Sequence, residues 1–158
     1  MDLWRLAQPQ FSAPPRDDIN VCMGGDWYTF PSHFFLPSHA RLQFVEDNFR
    51  GQLPFHFAPN EGTSSPPLRP FNDLNLEEPS HYVDLPVCHY LVVKLPSTGI
   101  LESDMKAKLV GYAAQVSTKV LDAANSSPLS RAFSFPHHWI GANNNFNDVV
   151  LYRRIKSR

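Results

Sequence analysis

The densest run of side chains capable of chemistry is Phe71-Asn72-Asp73-Leu74-Asn75-Leu76-Glu77-Glu78-Pro79-Ser80-His81-Tyr82-Val83-Asp84. Carboxylates and amides so closely spaced can accept hydrogen bonds from sugar hydroxyls, hold a cation or meet a partner. Asp73, Asn75 and Glu77 alternate with Leu74 and Leu76. An extended backbone would therefore send the polar groups to one face and the leucines to a core on the other. Pro79 bars a helix through Glu78 and turns the chain. The plainer reading is an ordered loop that pins two leucines and leaves its acids in water. Glu77 and Glu78 make a poor acid–base pair, because neighbours on an extended chain point apart.

Other candidate chemistry is sparse. Seven histidines invite a metal site, but no His-x-x-x-His or Cys-x-x-Cys occurs, and the adjacent His137 and His138 cannot share a helical face. No metal ligand set is expected. There is no Gly-x-Ser-x-Gly elbow. Gly24-Gly25 lacks the strand–loop–helix setting of a phosphate cradle, since Pro31 and Pro37 follow. Cys22 and Cys88 read either as two buried thiols or, in an oxidising compartment, as one bridge. Trp27 to Leu36 is dense in aromatic rings, which suit a small core better than a stacking platform.

The elements that must position these groups fit one domain. The chain has 158 residues, enough for a real core. Its net charge of -1 argues against a nucleic-acid surface. The basic residues Arg153, Arg154, Lys156 and Arg158 read as a solvated terminus. No apolar run approaches the roughly 18–20 residues of a membrane helix. Met1-Asp2-Leu3-Trp4-Arg5 lacks the pattern of a secretory leader. Fifteen prolines beside twelve phenylalanines describe ordered loops held by aromatic anchors, because disordered chains are poor in Phe.

Residues 1–18 read as an extended lead-in governed by Pro9, Pro14 and Pro15, and 19–158 as one domain. Alternation predicts strands at Ile19–Met23 and at Arg41–Val45, the latter with Leu42 and Phe44 inward. Residues 58–70 form a polar connector. Val87–Leu95 is apolar on both faces and belongs in the middle of the sheet. Apolar residues at Met105, Leu109, Tyr112 or Ala113, Val116, Val120 and Ala124 predict one amphipathic helix over about 104–125. Arg131–Phe135 and Asp148–Ile155 read as further strands. The fold class is α+β, with an antiparallel or mixed sheet of four to five short strands.

Several strings stand in register: Trp27-Tyr28-x-Phe30-Pro31-Ser32, Phe34-Phe35-Leu36-Pro37, Phe49-Arg50-Gly51-Gln52-Leu53-Pro54, Asn72-Asp73-x-Asn75-Leu76-Glu77-Glu78-Pro79-Ser80 and Cys88-His89-Tyr90-Leu91-Val92. Together they resemble the C-terminal lumenal region of the endoplasmic-reticulum α-1,2-mannosyltransferases of glycosyltransferase family 22. The resemblance implies a polytopic membrane enzyme that takes mannose from dolichyl-phosphate-mannose and adds it to a lipid-linked oligosaccharide. The family's catalytic acids lie in an early lumenal loop, ahead of the region matched here. No catalytic residue carries over, and these residues alone are expected not to transfer mannose.

The resemblance also implies a Cys22–Cys88 disulfide, because the family has cysteines at both positions and an oxidising lumen permits the bond. In that compartment Asn125-Ser126-Ser127 is an acceptor sequon for N-glycosylation, with Pro128 and the expected helix end weighing against occupancy. Arg50, Asp73, Asn75, Glu77 and Glu78 become candidates for glycan or interdomain contact, or for bracing loops. Partners would be the lipid-linked acceptor and the membrane part of the same enzyme. The competing class is a stand-alone carbohydrate-binding module using Trp27, Tyr28 and Trp139 as exposed platforms.

Overall fold

The computed structural model describes residues 3–11, 18–29, 35–54, 72–96, 103–128, 131 and 144–155. The elements are α1 (Leu3–Phe11), β1 (Ile19–Met23), β2 (Ala40–Phe44), β3 (Tyr90–Leu95), α2 (Ser103–Lys108), β4 (Tyr112–Leu121) and β5 (Phe146–Arg154). Short 3-10 turns stand at Gly25–Thr29, Pro79–His81 and Leu85–Val87. The five strands form one sheet in the order β2-β1-β3-β5-β4. β1 runs parallel to both β2 and β3, and β5 runs antiparallel to β3 and β4. The sheet is therefore mixed, and the domain is α+β.

β3 is the central strand, and Tyr90 through Val93 are buried. Alternation divides its side chains between two cores. Tyr90 and Val92 join Val21, Met23, Leu42, Phe44, Val149 and Leu151 on one face. Leu91 and Val93 join Cys22, Cys88 and Val45 on the other. Cys88 precedes the strand, after the Leu85–Val87 turn, so it packs with Leu91 rather than sharing the Tyr90 face.

α1 closes the first face, and here the expected extended lead-in gives way to a helix. Leu3, Trp4, Ala7 and Phe11 are buried along one side, and the Phe11 ring meets Tyr90 edge-on at 5.2 Å. Pro9 sits inside the helix. An interior proline costs about 3 kcal/mol, whereas each large apolar side chain buried returns about 1.5–3 kcal/mol. Three such chains outweigh one proline.

The expected helix over 104–125 is also corrected. α2 stops at Lys108, and Gly111 takes a left-handed φ of 83°, as a glycine past a helix end does. β4 then runs ten residues, its Val116, Thr118 and Val120 half-buried and Ser117 and Lys119 exposed. Val116 and Val120 fit a period of two as well as a helical stripe. β-branched residues favour the strand, and pairing along β5 settles the choice. The 58–70 connector and most of Arg131–Phe135 lie outside the described residues.

Cys22 and Cys88, 66 positions apart in sequence, are joined in a disulfide with Cα atoms 5.7 Å apart. The bond closes the parallel β1–β3 junction beside the Val21–Tyr90 pair. Closing a loop of this length removes unfolded-state entropy worth about 4 kcal/mol in the chain-entropy model. The double variant Cys22→Ser/Cys88→Ser should lower the unfolding free energy by about 2–4 kcal/mol. The check is the urea midpoint of the variant beside that of the oxidised wild type.

Candidate functional site

The candidate residues gather where the loop after β2 meets the approach to β3. Two contacts fix the seam: the Val83 N–H donates to the Phe44 carbonyl at 2.8 Å, and Tyr82 bridges to Phe44. Above the seam, residues 72–82 form a polar arch whose conformation is set by asparagine side chains. The Leu76 N–H donates to Asn72 Oδ1 at 2.7 Å, and Asn72 Nδ2 donates to the Leu76 carbonyl at 2.9 Å. These bonds curl the chain into a turn. Asn75 takes a left-handed φ of 52°, which asparagine tolerates better than most residues, and its Oδ1 accepts the Gln52 N–H at 2.9 Å.

This geometry reverses the expected faces. Leu74 is 70% exposed and Leu76 56% exposed, so neither is pinned in a core. The alternation of polar and apolar residues presumed an extended chain, and the turn closed by Asn72 breaks that premise.

Glu77 is the hub of the arch. Its Oε1 accepts the Tyr82 hydroxyl at 2.8 Å, and both carboxylate oxygens accept from Arg50 Nη1, at 3.1 and 3.3 Å. The Glu77 side chain is 23% exposed and that of Arg50 62%. Glu78 Oε1 accepts the Ser80 N–H at 3.3 Å and caps the Pro79–His81 turn. Asp73 lies exposed at the tip of the turn. Of the five candidates, Asn75, Glu77 and Glu78 therefore brace the loop, Arg50 braces it through Glu77 and the Asp47 carbonyl while staying largely exposed, and Asp73 stands in solvent. Asn72 and Tyr82 belong to the polar run but are not among the contact candidates, and nothing in the sequence pattern points to Asp47; an Asn at the start of a turn is a readable signal.

On the other side of the 45–50 loop lies an open cavity of about 320 Å³ beside the Gly25–Thr29 turn, the end of β3 and α2. Asp47 is clamped at its wall. Its Oδ2 accepts the Gly25 N–H at 2.6 Å and its Oδ1 the Phe49 N–H at 2.8 Å. A Cβ at Gly24 would strike the Asp47 carboxylate, and one at Gly25 would strike Phe49. The glycine pair thus permits a close approach of turn and loop. Lys94 and Asp26 form an ion pair at the same wall.

Trp27 is half-buried against the core and packs perpendicular to Tyr28, at 89°. These two rings make no flat platform, and Tyr28 alone is strongly exposed, at 66%. Trp139 lies outside the described residues. Among the described residues no three His, Cys, Asp or Glu side chains gather to hold a metal ion, and no helix is long and apolar enough to cross a membrane. Asn125 is exposed, with its Nδ2 donating to Asp122 Oδ2 at 2.8 Å.

Fold and site define a small disulfide-bonded α+β domain carrying a braced polar arch. No family model and no solved structure matches the chain. Curated proteins do. The chain is 42% identical over 131 residues to the α-1,2-mannosyltransferase ALG9 of Homo sapiens, covering 79% of this chain and 21% of that protein. It is 34% identical over 153 residues to the α-1,2-mannosyltransferase algn-9 of Caenorhabditis elegans, covering 87% and 25%. Against α-1,2-mannosyltransferase ALG9 of Arabidopsis thaliana the identity is 28% over 159 residues, covering 98% and 27%. The chain is thus related to the ALG9-type α-1,2-mannosyltransferases and spans about a fifth to a quarter of their length.

Burial, and then the hydrogen bond to Glu77, raise the Tyr82 phenol above its ordinary value. Burial raises those of Tyr112 and Tyr152 as well. A phenol held protonated in the fold contributes stability that is complete below pH 10 and lost as pH rises beyond it, because the unfolded chain ionises first. The urea midpoint should fall between pH 9 and pH 11, and fall less in Tyr82→Phe. At neutral pH that substitution should cost about 1.5–3 kcal/mol, the worth of a hydrogen bond to a charged acceptor.

Proposed function

We propose that this domain shapes the lumenal side of the acceptor site in an α-1,2-mannosyltransferase of the endoplasmic reticulum. The likeness to named α-1,2-mannosyltransferases over most of the chain carries the reading. The reaction is transfer of mannose from dolichyl-phosphate-mannose to the lipid-linked oligosaccharide precursor of protein N-glycosylation. The donor, the acceptor and the membrane-embedded part of the same enzyme are the partners. The Cys22–Cys88 bond supports an oxidising, lumenal setting.

The domain's part is positioning rather than chemistry. A general base must reach the acceptor hydroxyl with its carboxylate available. Three of the roughly four acceptor positions of Glu77 are taken by Arg50 and Tyr82. Arg50 and Asp73 are the outward charges that meet the glycan or the neighbouring part of the enzyme.

A chimera tests this reading. These 158 residues should restore mannosyl transfer when they replace the matching stretch of the Homo sapiens relative, and alone they should give none. Within the chimera, Arg50→Ala should lower transfer about tenfold with abundance unchanged, about 1.4 kcal/mol of transition-state binding. A normally abundant but inactive chimera would remove the reading.

Asn125 stays unmodified in the lumen, because its amide is held by Asp122 in a tight turn and Pro128 follows the sequon. The chain secreted through the endoplasmic reticulum should keep its gel mobility after treatment with peptide N-glycosidase. A shift abolished by Asn125→Gln would reverse the assignment.

A further inference from the structure

We infer that the cavity beside Tyr28 is a subsite for one neutral hexose ring of the glycan. Four observations lead there. At about 320 Å³ the cavity reaches the lower end of the range for small-ligand sites, roughly 300–1,000 Å³. Its walls are fixed before any ligand arrives, because Asp47 is clamped by two backbone N–H groups and the Gly24-Gly25 backbone closes against it. That rigidity lowers the entropic cost of binding.

Its chemistry is that of a polyol site. An ionised carboxylate has about four acceptor positions, and the clamp uses one on each Asp47 oxygen. The remaining positions can accept two vicinal hydroxyls. Asp26 adds acceptors, Lys94 donors, and Asn48 both. The Tyr28 ring at the rim offers an apolar face with a polar tip, suited to the C–H face of a sugar. Phe49 and Met105 supply apolar wall.

Charge selects against the alternatives. Asp26, Asp47 and Lys94 sum to one negative charge, so phosphate and carboxylate ligands are repelled. Lys94 sits on Asp26 and offsets the pull on a cation. A neutral hydroxylated ring remains. The choice of mannose rests on the reading of the domain as part of a mannosyltransferase; the site itself rests on the cavity.

The test uses the oxidised 158-residue chain and α-1,2-linked mannobiose, followed by amide NMR shifts. Saturable shifts should centre on Tyr28, Asn48 and Lys94, with a dissociation constant on the order of 1 mM. Tyr28→Ala, at an exposed position that leaves the core intact, should weaken binding about tenfold or more. Lys119→Ala, an exposed β4 residue paired with Asp148, should not. Shifts confined to residues 72–82 would overturn the subsite while leaving the domain facing the glycan. Absence of any shift, or equal shifts with inorganic phosphate at Tyr28, would overturn it too, and the chimera decides the broader reading independently.

Discussion

The domain depends on the pairing of β3 with β1 on one side and β5 on the other. β1 and β3 are parallel and far apart in sequence, so their contact carries a loop-closure cost that an isolated β1–β3 pair would not recover. Three devices compensate. The Cys22–Cys88 bond ties the strands. The ladder is extended by Asn20 and His89: the His89 N–H donates to the Asn20 carbonyl at 3.0 Å, and the Asn20 N–H donates to His89 Nδ1 at 3.0 Å. Both faces of β3 are packed, one beneath α1 and one against Cys22, Cys88 and Val45. β3 in turn positions the candidate site. Its approach carries the polar arch, and its end carries Lys94 into the cavity wall.

Much of the sheet was legible because its strands satisfy local and global demands at once. Ile19–Met23 alternates and is a strand with those bounds, and the doubly apolar run of Val87–Leu95 holds the central strand. The failures have physical causes. At 104–125 the apolar positions satisfied two periods, and the discriminating signals were Gly111 and the β-branched residues that follow. At 3–11 the prolines point to an extended chain, whereas Leu3, Ala7 and Phe11 stand at helical spacing on a core-facing stripe. Propensity is a local quantity: at 3–11 burial against the sheet overrode it, and at 112–121 the β-branched residues and the pairing with β5 agreed with it.

The candidate site was legible as a place rather than as a set of roles. All five polar candidates lie in or beside one arch, but which of them brace it depends on who accepts whose proton. Glu77 and Asp73 are the same chemical type four residues apart. One is enclosed by Arg50 and Tyr82, the other stands in water. That difference arises from Asn72 and Asn75, whose amides set a turn that no hydrophobic pattern reports. Exposed ion pairs contribute only about 0–1 kcal/mol, so the value of Arg50–Glu77 lies in orientation more than in stability.

Arch and cavity are held in fixed relation by one side chain. Phe49 lies close to the Gly25 backbone at the cavity, while a Cβ at Gly51 would come within 2.6 Å of the tip of the same ring and 3.2 Å of Asn75 Nδ2. The loop between them is tightened by Asp47, which accepts the Phe49 backbone N–H through its side chain and the Arg50 guanidinium Nη1 through its carbonyl. Movement of Phe49 would therefore disturb Gly25 and the cavity rim on one side, and Gly51 with Asn75 on the other. Packed contacts of this kind do not deform continuously. The cavity rim and the arch are thus coupled through Phe49 and do not shift independently of one another.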